Sequence, residues 1–508
     1  MRNTQSLLIA ICAMFLWNTG AGQTITLDPT FGQGGKAEFD MALDFFDETA
    51  TCIGVQSNGK IIFGGEIEPF YTLMRLLPNG DLDITFGDSG VVRVLSDAIC
   101  HDLVILDDDR ILSCGTGEGG VNFPMMSRAV VAMNLADGSP DTSFNGSGYL
   151  LVPSTFNVDA ASGIALQSDG KILVTGYFGV DGDVYVEMVA IRLDQQGQLD
   201  PSFGGDGIVT KTLNAGGCWG EAIVQMPDGR IVFGGTTNYF LDKRVMICRV
   251  MPDGSNDPSF GNIDGIAMTS GPFEYYAFDM ELQPDGKPVL GGYDAWGPLA
   301  AFRFNVSGSL DVTFGGDGVA TGTFAIIDYG PAGLVALEDG SFIVAGQGEG
   351  PFQVNQFSSD GTLMATASTG FGEPAAAWNA CIQSDGKLLV CGNWHSILNG
   401  EQLAIARYDL DSPTALDEGH QITPKFSIYP NPVFELLWVR SSTILAKSRM
   451  LFSLTDLSGR VIKELIPMEG NDTLGQTLSF SMKDICPGLY SLNIFDGSVL
   501  SCHLLVKQ

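Results

Sequence analysis

The residues that could do chemistry are either sparse or too common to single out. His101, His395, His420 and His503 stand far apart, and no two sit at metal-ligand spacing, which argues against a histidine-built zinc site. There is no Gly-x-Ser-x-Gly elbow and no phosphate loop. Gly204-Gly205-Asp206-Gly207 and its copy at 315–318 offer hard Asp oxygens of the kind calcium takes. Neither continues into a full Asp-x-Asp-x-Asp-Gly series with a distal Glu, so turn-making is expected, with calcium as the alternative, and no cofactor is expected. Arg75, Arg192, Arg249, Arg303 and Arg407 occupy one recurring strand slot, and the expected partner is the Asp of a recurring Asp-x-Thr/Ser-Phe-Gly phrase. Paired carboxylates could serve glycan hydrolysis. With 59 acidic residues in 508, no pair stands out.

These groups are placed by a repeat. The Asp-x-Thr/Ser-Phe-Gly phrase centres on Phe31, Phe86, Phe144, Phe203, Phe260 and Phe314, with a worn copy at Phe371, at spacings of 55, 58, 59, 57, 54 and 57 residues. A fixed period of this size marks a repeat architecture. Each unit also holds a hairpin, usually with an Asn-Gly or Asp-Gly turn, as in Gln56–Gly65, where both central residues tolerate positive φ; weaker copies centre on Asp109-Arg110 and Asp339-Gly340. Then comes the Arg-bearing strand, which lacks its Arg near Met133 and Gln356. The chain opens on the phrase (Leu27–Phe39) and closes on the Arg strand (Leu403–Leu410), so the last unit lacks a strand and the N-terminus holds a spare. Four short strands per unit and seven units predict an all-β, seven-bladed β-propeller, closed by pairing of the N-terminal strand with the last blade.

The antiparallel order places the Asn-Gly and Asp-Gly turns and the Asp-x-Thr/Ser-Phe-Gly loops on one face, nearly constant between units. The other face varies, and aromatics collect there: Tyr71, Phe178, Tyr239, Trp296 and Trp394 between strands, with Trp219 and Trp378 near blade junctions. Aromatics on loops of a rigid scaffold suit sugar-ring or peptide recognition, and the competing expectation is packing between blades. The candidate ligand residues are Trp296, Trp394, Trp219, Trp378 and Tyr239.

Residues 197–207, Gly-Gln-Leu-Asp-Pro-Ser-Phe-Gly-Gly-Asp-Gly, resemble the delta-60 repeat of secreted bacterial proteins, and the resemblance spans about residues 27–410. It implies a propeller and assigns no activity. A linker follows at 411–425. Residues 426–508 then carry Tyr429-Pro430-Asn431-Pro432, Asp456 with Gly459-Arg460, and Pro487-Gly488 with Tyr490. In that order they resemble the C-terminal sorting domain of type IX secretion cargo, although Cys486 replaces the usual small residue before Pro-Gly. Short alternating strands predict a small C-terminal β-sandwich there. The resemblance implies the type IX machinery as partner, with passage through the periplasm and export to the medium or outer surface of a Gram-negative bacterium.

The remaining features agree with export. Arg2, the apolar run Leu7–Trp17 and the small residues 19–22 read as a signal peptide over 1–22, ahead of a propeller at 23–410. No later stretch is long and apolar enough to span a membrane. The net charge of −33 falls almost wholly on residues 23–425, which repels nucleic acid and favours a soluble monomer. Ten cysteines become nine without Cys12, an odd count that argues against a full disulfide framework. The expectation is a secreted or surface propeller that binds a glycan or protein. The alternatives are a glycan hydrolase or lyase and a structural envelope protein. Inward-facing carboxylates beside Trp296 or Trp394 would favour the enzyme, and a channel lined by apolar or small residues would favour binding.

Overall fold

The computed structural model describes residues 24–411 except 42–47, 119–126, 155–157, 180–185, 214–215, 240–241, 263, 270–273, 295–297, 325–331, 348–349, 372–373 and 397–399. It also describes 426–507 except 430–432, 434–435, 442–450, 456–460, 467–476 and 496–499. The signal-peptide expectation therefore lies outside the described residues. Among those described there is no helix.

The chain divides into Met1–Pro413 and Thr414–Gln508. The first unit is a seven-bladed β-propeller, its blades beginning at Glu48, Ala98, Val158, Cys218, Tyr275, Gly333 and Ala375. Blade 1 shows the plan: Glu48–Val55, Ile61–Ile67, Phe70–Leu76 and Val91–Ser96 pair antiparallel in sequence order. The first strand of each blade is innermost and lies beside its counterparts, that of blade 7 beside that of blade 1. Blade 7 draws three strands from Ala375–Asp411. Its outer neighbours come from the N-terminal region: Lys36–Phe39 pairs with Leu403–Ala406, and Thr24–Leu27 with Tyr408–Asp411. Strands alternate apolar residues on both faces, so each inter-blade space is filled, as where Ile62, Leu73 and Phe86 of blade 1 meet Cys100, Leu103 and Ile111 of blade 2.

The Asp-x-Thr/Ser-Phe-Gly phrase builds a buried ion cluster. In blade 4, Asp257 Oδ1 accepts the backbone N–H and the hydroxyl of Ser259, two residues on. Its Oδ2 accepts from Arg249 Nε at 2.8 Å and Arg230 Nη1 at 2.9 Å. Arg249 also donates to Ser259 Oγ and to the Val306 carbonyl of blade 5, while its guanidinium lies 4.4 Å from the centroid of the buried Phe260 ring. The following Gly261 N–H donates to the Ser307 carbonyl, again in blade 5. One cluster thus satisfies a buried carboxylate, holds its own turn and grips the next blade.

The same cluster recurs as Arg75–Asp83, Arg192–Asp200, Arg303–Asp311 and Arg407–Asp28, at 2.7–2.9 Å. The second cation is Lys60, Lys171, Lys287 or Lys387, just after the hairpin turn. All five expected Arg–Asp pairs are present. Arg407 reaches from blade 7 to the Pro78 carbonyl of blade 1, as Arg75 reaches from blade 1 to the Ala136 carbonyl of blade 2. Blade 2, with Met133 at the Arg slot, uses Arg110 on Asp141 instead, at 3.1 Å. At the worn copy in blade 6, Lys36 donates to the Gly370 carbonyl and lies over the Phe371 ring.

The second unit holds a three-stranded sheet (Phe426–Tyr429, Leu436–Ser441, Thr477–Ser481) and a four-stranded one (Val461–Glu464, Leu451–Thr455, Gly488–Phe495, Leu500–Lys507). Leu437, Val439, Leu478 and Phe480 of the first sheet share a buried core with Leu454, Leu492 and Ile494 of the second.

Burial alone would raise Asp257, but the Ser259 hydroxyl and the guanidinium groups of Arg230 and Arg249 outweigh it and hold the carboxyl well below the usual range. Because the folded value is the lower one, this stabilisation is present above the unfolded pKa of about 4 and fades as pH falls below it. Arg249→Ala, which strips a buried pair of its main partner, is expected to cost about 3–5 kcal/mol in urea unfolding at neutral pH. The deficit should shrink in titrations below about pH 4.

Candidate functional site

Among the described residues, six of the seven innermost strands carry a register shift against their neighbour, at Ala50/Cys52, Cys100/Asp102, Ala161/Gly163, Gly220/Ala222, Ala277/Asp279 and Ala377/Asn379. A bulge inserts one residue and re-aims it. The inserted residues are Thr51, His101, Ser162, Glu221, Phe278 and Trp378, and all six line one cavity of about 240 Å³ inside the ring, with Asp102, Asp279, Asn379 and Tyr177. Side chains alternate along a strand, so Trp219 and Tyr276, two residues before their bulges, point to the same side nearer the variable-loop face. The Lys243 ammonium sits 5.0 Å from the Trp219 ring centroid and 5.6 Å from that of Tyr276.

The carboxylates are not equivalent. Asp102 accepts from its neighbour Leu103 N–H and, across the blade boundary, from Ile164 N–H. Asp279 does the same with Met280 and Leu334. Each spends both oxygens on backbone, and each joins its blade to the next. Burial pushes Asp102 up to about 7, against the opposing bond from Ile164, and pushes Asp279 up to about 6. Glu221 has no backbone amide of this kind. Burial raises it to about 8, partly offset by a hydrogen bond with Ser162. Burial lowers His101 to about 4, so its imidazole is neutral at neutral pH, and its Nε2 lies 2.9 Å from Thr116 Oγ1. Trp378 Nε1 donates to Asn393 Oδ1 at 2.6 Å, and Asn393 in turn donates to Glu401, which also meets His395. Such a cavity offers ring faces for stacking and several polar atoms for hydroxyl groups.

Of the aromatic candidates, Trp378 lines the cavity and Trp219 stands above it, both on innermost strands rather than on loops. Trp394 packs against the core between blades 6 and 7, and its Nε1 is buried without a hydrogen-bond partner. Trp296 lies outside the described residues, as does the side chain of Tyr239. Tyr71 and Phe178, expected on the variable face, are buried core residues. Strand order places the two near the variable face but does not show that residues at a strand's end pack into the space between blades, as Tyr71 does between blades 1 and 2 and Phe178 between blades 2 and 3.

The acidic turns are self-contained. Asp206 and Asp317 accept from Ile208 and Val319 N–H two residues on. Among the described residues no group of three His, Cys, Asp or Glu side chains could hold a metal ion. Of the sorting-motif residues, Pro430, Asn431, Pro432, Asp456, Gly459, Arg460 and the Tyr429 side chain lie outside the described residues. Pro487 is exposed, Gly488 starts a strand, and the Tyr490 hydroxyl donates to the Cys486 carbonyl at 2.9 Å.

Fold and site together define an all-β propeller with a polar and aromatic cavity at its centre. The family model described as "Domain of unknown function (DUF5122) beta-propeller" matches residues 56–86, 167–203, 227–260 and 383–412, which fall on blades 1, 3, 4 and 7. No curated protein matches the chain. Similar solved structures include a protein of unknown function from Dyadobacter fermentans, at 11% identity, 77% of this chain, 99% of that one and a TM-score of 0.36. A glucose dehydrogenase shows 10% identity over 73% of this chain and 99% of that one, at a TM-score of 0.36. PorZ, a bacterial surface component of the type IX secretion system of Porphyromonas gingivalis, shows 9% identity over 95% of this chain and 86% of that one, at 0.24.

A carboxyl raised on folding gives stability that is complete below its unfolded pKa and is lost as pH climbs through the folded one. Glu221→Gln should therefore leave the unfolding midpoint unchanged near about pH 4 and raise it by a few degrees at about pH 9, as read by differential scanning calorimetry.

Proposed function

We propose that this protein is a secreted or surface-attached binding module, a delta-60-type propeller exported by the type IX route, which takes a carbohydrate into the mouth of its central cavity. The cavity carries the proposal: Trp378 and Phe278 offer ring faces beside Glu221, Ser162, Thr51 and Asn379, the pairing of stacking surface with convergent polar atoms that suits a sugar. Trp219 and Tyr276 extend the aromatic surface toward the variable-loop face. On this account the N-terminal strands complete blade 7 and close the ring, so the third strand of that blade is not left as an open edge.

The C-terminal unit is proposed to be the sorting domain, a β-sandwich read by the secretion machinery. Its motif order and the core shared by its two sheets support this. Hydrolysis is the weaker reading. It needs two carboxyl groups free to act on a glycosidic bond, and two of the three acidic groups lining the cavity, Asp102 and Asp279, are tied to backbone amides. A purely structural envelope role gives no reason for a polar cavity.

The test is a glycan array probed with the full chain, with Trp378→Ala and Trp219→Ala checked for folding by circular dichroism. Binding should fall about tenfold or more in Trp378→Ala. Binding that survives both substitutions would move the site elsewhere, and an array with no hit would remove carbohydrate as the ligand.

A further inference from the structure

Blades 1 and 2 meet at two cysteines that both depart from the repeat. The residue before the bulge is Ala or Gly in blades 1, 3, 4, 5 and 7 and Cys100 in blade 2. The residue after the bulge in blade 1 is Cys52. That is the slot from which Asp102 reaches Ile164 of blade 3 and Asp279 reaches Leu334 of blade 6. Blades 2 and 5 thus use this slot to join the next blade, and in blade 1 it holds a thiol facing another thiol. The two sulfurs lie 3.5 Å apart, unbonded, with both side chains fully buried. Gly64 leaves the room they occupy, since a Cβ there would stand 2.7 Å from Cys100 Sγ and 2.9 Å from Cys52 Sγ. Thr51 fixes the spacing of the strands by donating to the Cys100 carbonyl at 2.5 Å.

We propose that Cys52 and Cys100 are an oxidation site, joined as a disulfide that staples blade 1 to blade 2 when the chain folds in an oxidising compartment. The sulfurs must close from contact to a bond of about 2.05 Å, a shift within reach of side-chain rotation. The oxidant is a reactive disulfide of a thiol–disulfide exchange protein or of glutathione. One cysteine thiolate attacks it and releases a thiol. The second cysteine, losing its proton, attacks the mixed disulfide and releases the other thiol, so two electrons and two protons leave the pair. Burial, and then the adjoining Cys100 thiol, pushes Cys52 well above its ordinary range, so its thiolate is scarce once the blades have closed. The bond therefore forms during folding, and the finished interface then shields it from reductant. The cysteines are 48 residues apart in sequence, so the link also removes freedom from the unfolded chain.

The test refolds the full chain in a glutathione–glutathione disulfide buffer, alkylates it in denaturant without reductant, and maps the peptides. Cys52 and Cys100 peptides should run as one species about 2 Da lighter than their sum. The oxidised protein should melt several degrees above the reduced one. Cys100→Ala, a residue four other blades hold at this slot, should fold, lose the link and lose the redox dependence of melting. Alkylation of both cysteines after refolding, or a link from Cys52 to any other cysteine, would overturn the proposal. The readout is on purified protein, so it is independent of the export route and of carbohydrate binding.

Discussion

The propeller depends on keeping a carboxylate charged inside protein. Asp28, Asp83, Asp200, Asp257 and Asp311 are all buried, and an isolated carboxylate there would protonate or unfold its surroundings. Each is instead met by two cations, a hydroxyl and a backbone amide. The Arg at the centre has donors left over, and it spends one on a carbonyl of the following blade. Electrostatic satisfaction within a blade and attachment between blades are thus one interaction. Arg suits the task because its planar fork serves several acceptors while its face covers Phe. The exposed residue inside the phrase is free to vary, as Ile84 and Val312 show.

The clamps all lie toward the constant face, at the outer part of each blade. That leaves the innermost strands less tied, and the chain uses a bulge on six of them to present one extra side chain to the axis. Three different devices then bridge neighbouring inner strands: Asp102 and Asp279 on backbone amides, Thr51 on a carbonyl, and the two facing cysteines of blades 1 and 2. The outer clamp is uniform because its job is the same in every blade. The inner positions differ from blade to blade, and together they line one cavity.

Much of the fold was readable in the sequence because its causes are local and repeated. The Asp-x-Thr/Ser-Phe-Gly phrase, the Arg slot and the Asn-Gly turns together gave seven blades and the five ion pairs. The site was less legible. Strand alternation counted from the turns puts Glu221 and Trp378 on the wrong parity, because a bulge shifts every residue beyond it. A signal does exist: Thr51, His101, Ser162, Glu221, Phe278 and Trp378 each stand five residues before the first residue of a hairpin turn and follow a small side chain. Tyr71 and Phe178 show the opposite error, in which strand ends expected at the surface are covered by the adjoining blade.

Asp28 holds blade 7 to blade 1 as Asp257 holds blade 4 to blade 5, each through an Arg that also reaches a carbonyl of the following blade. The direct measurement is native-state hydrogen exchange on Asp28→Asn. Amide protection should drop across blades 7 and 1 together, and the slowest-exchanging amides of the distant blade 4 should also speed up, because a breached ring opens as a whole. If faster exchange stays confined to residues 24–39, with blade 4 unchanged, the N-terminal strands are a loose appendage and the Asp28 clamp does not hold blade 7 to blade 1.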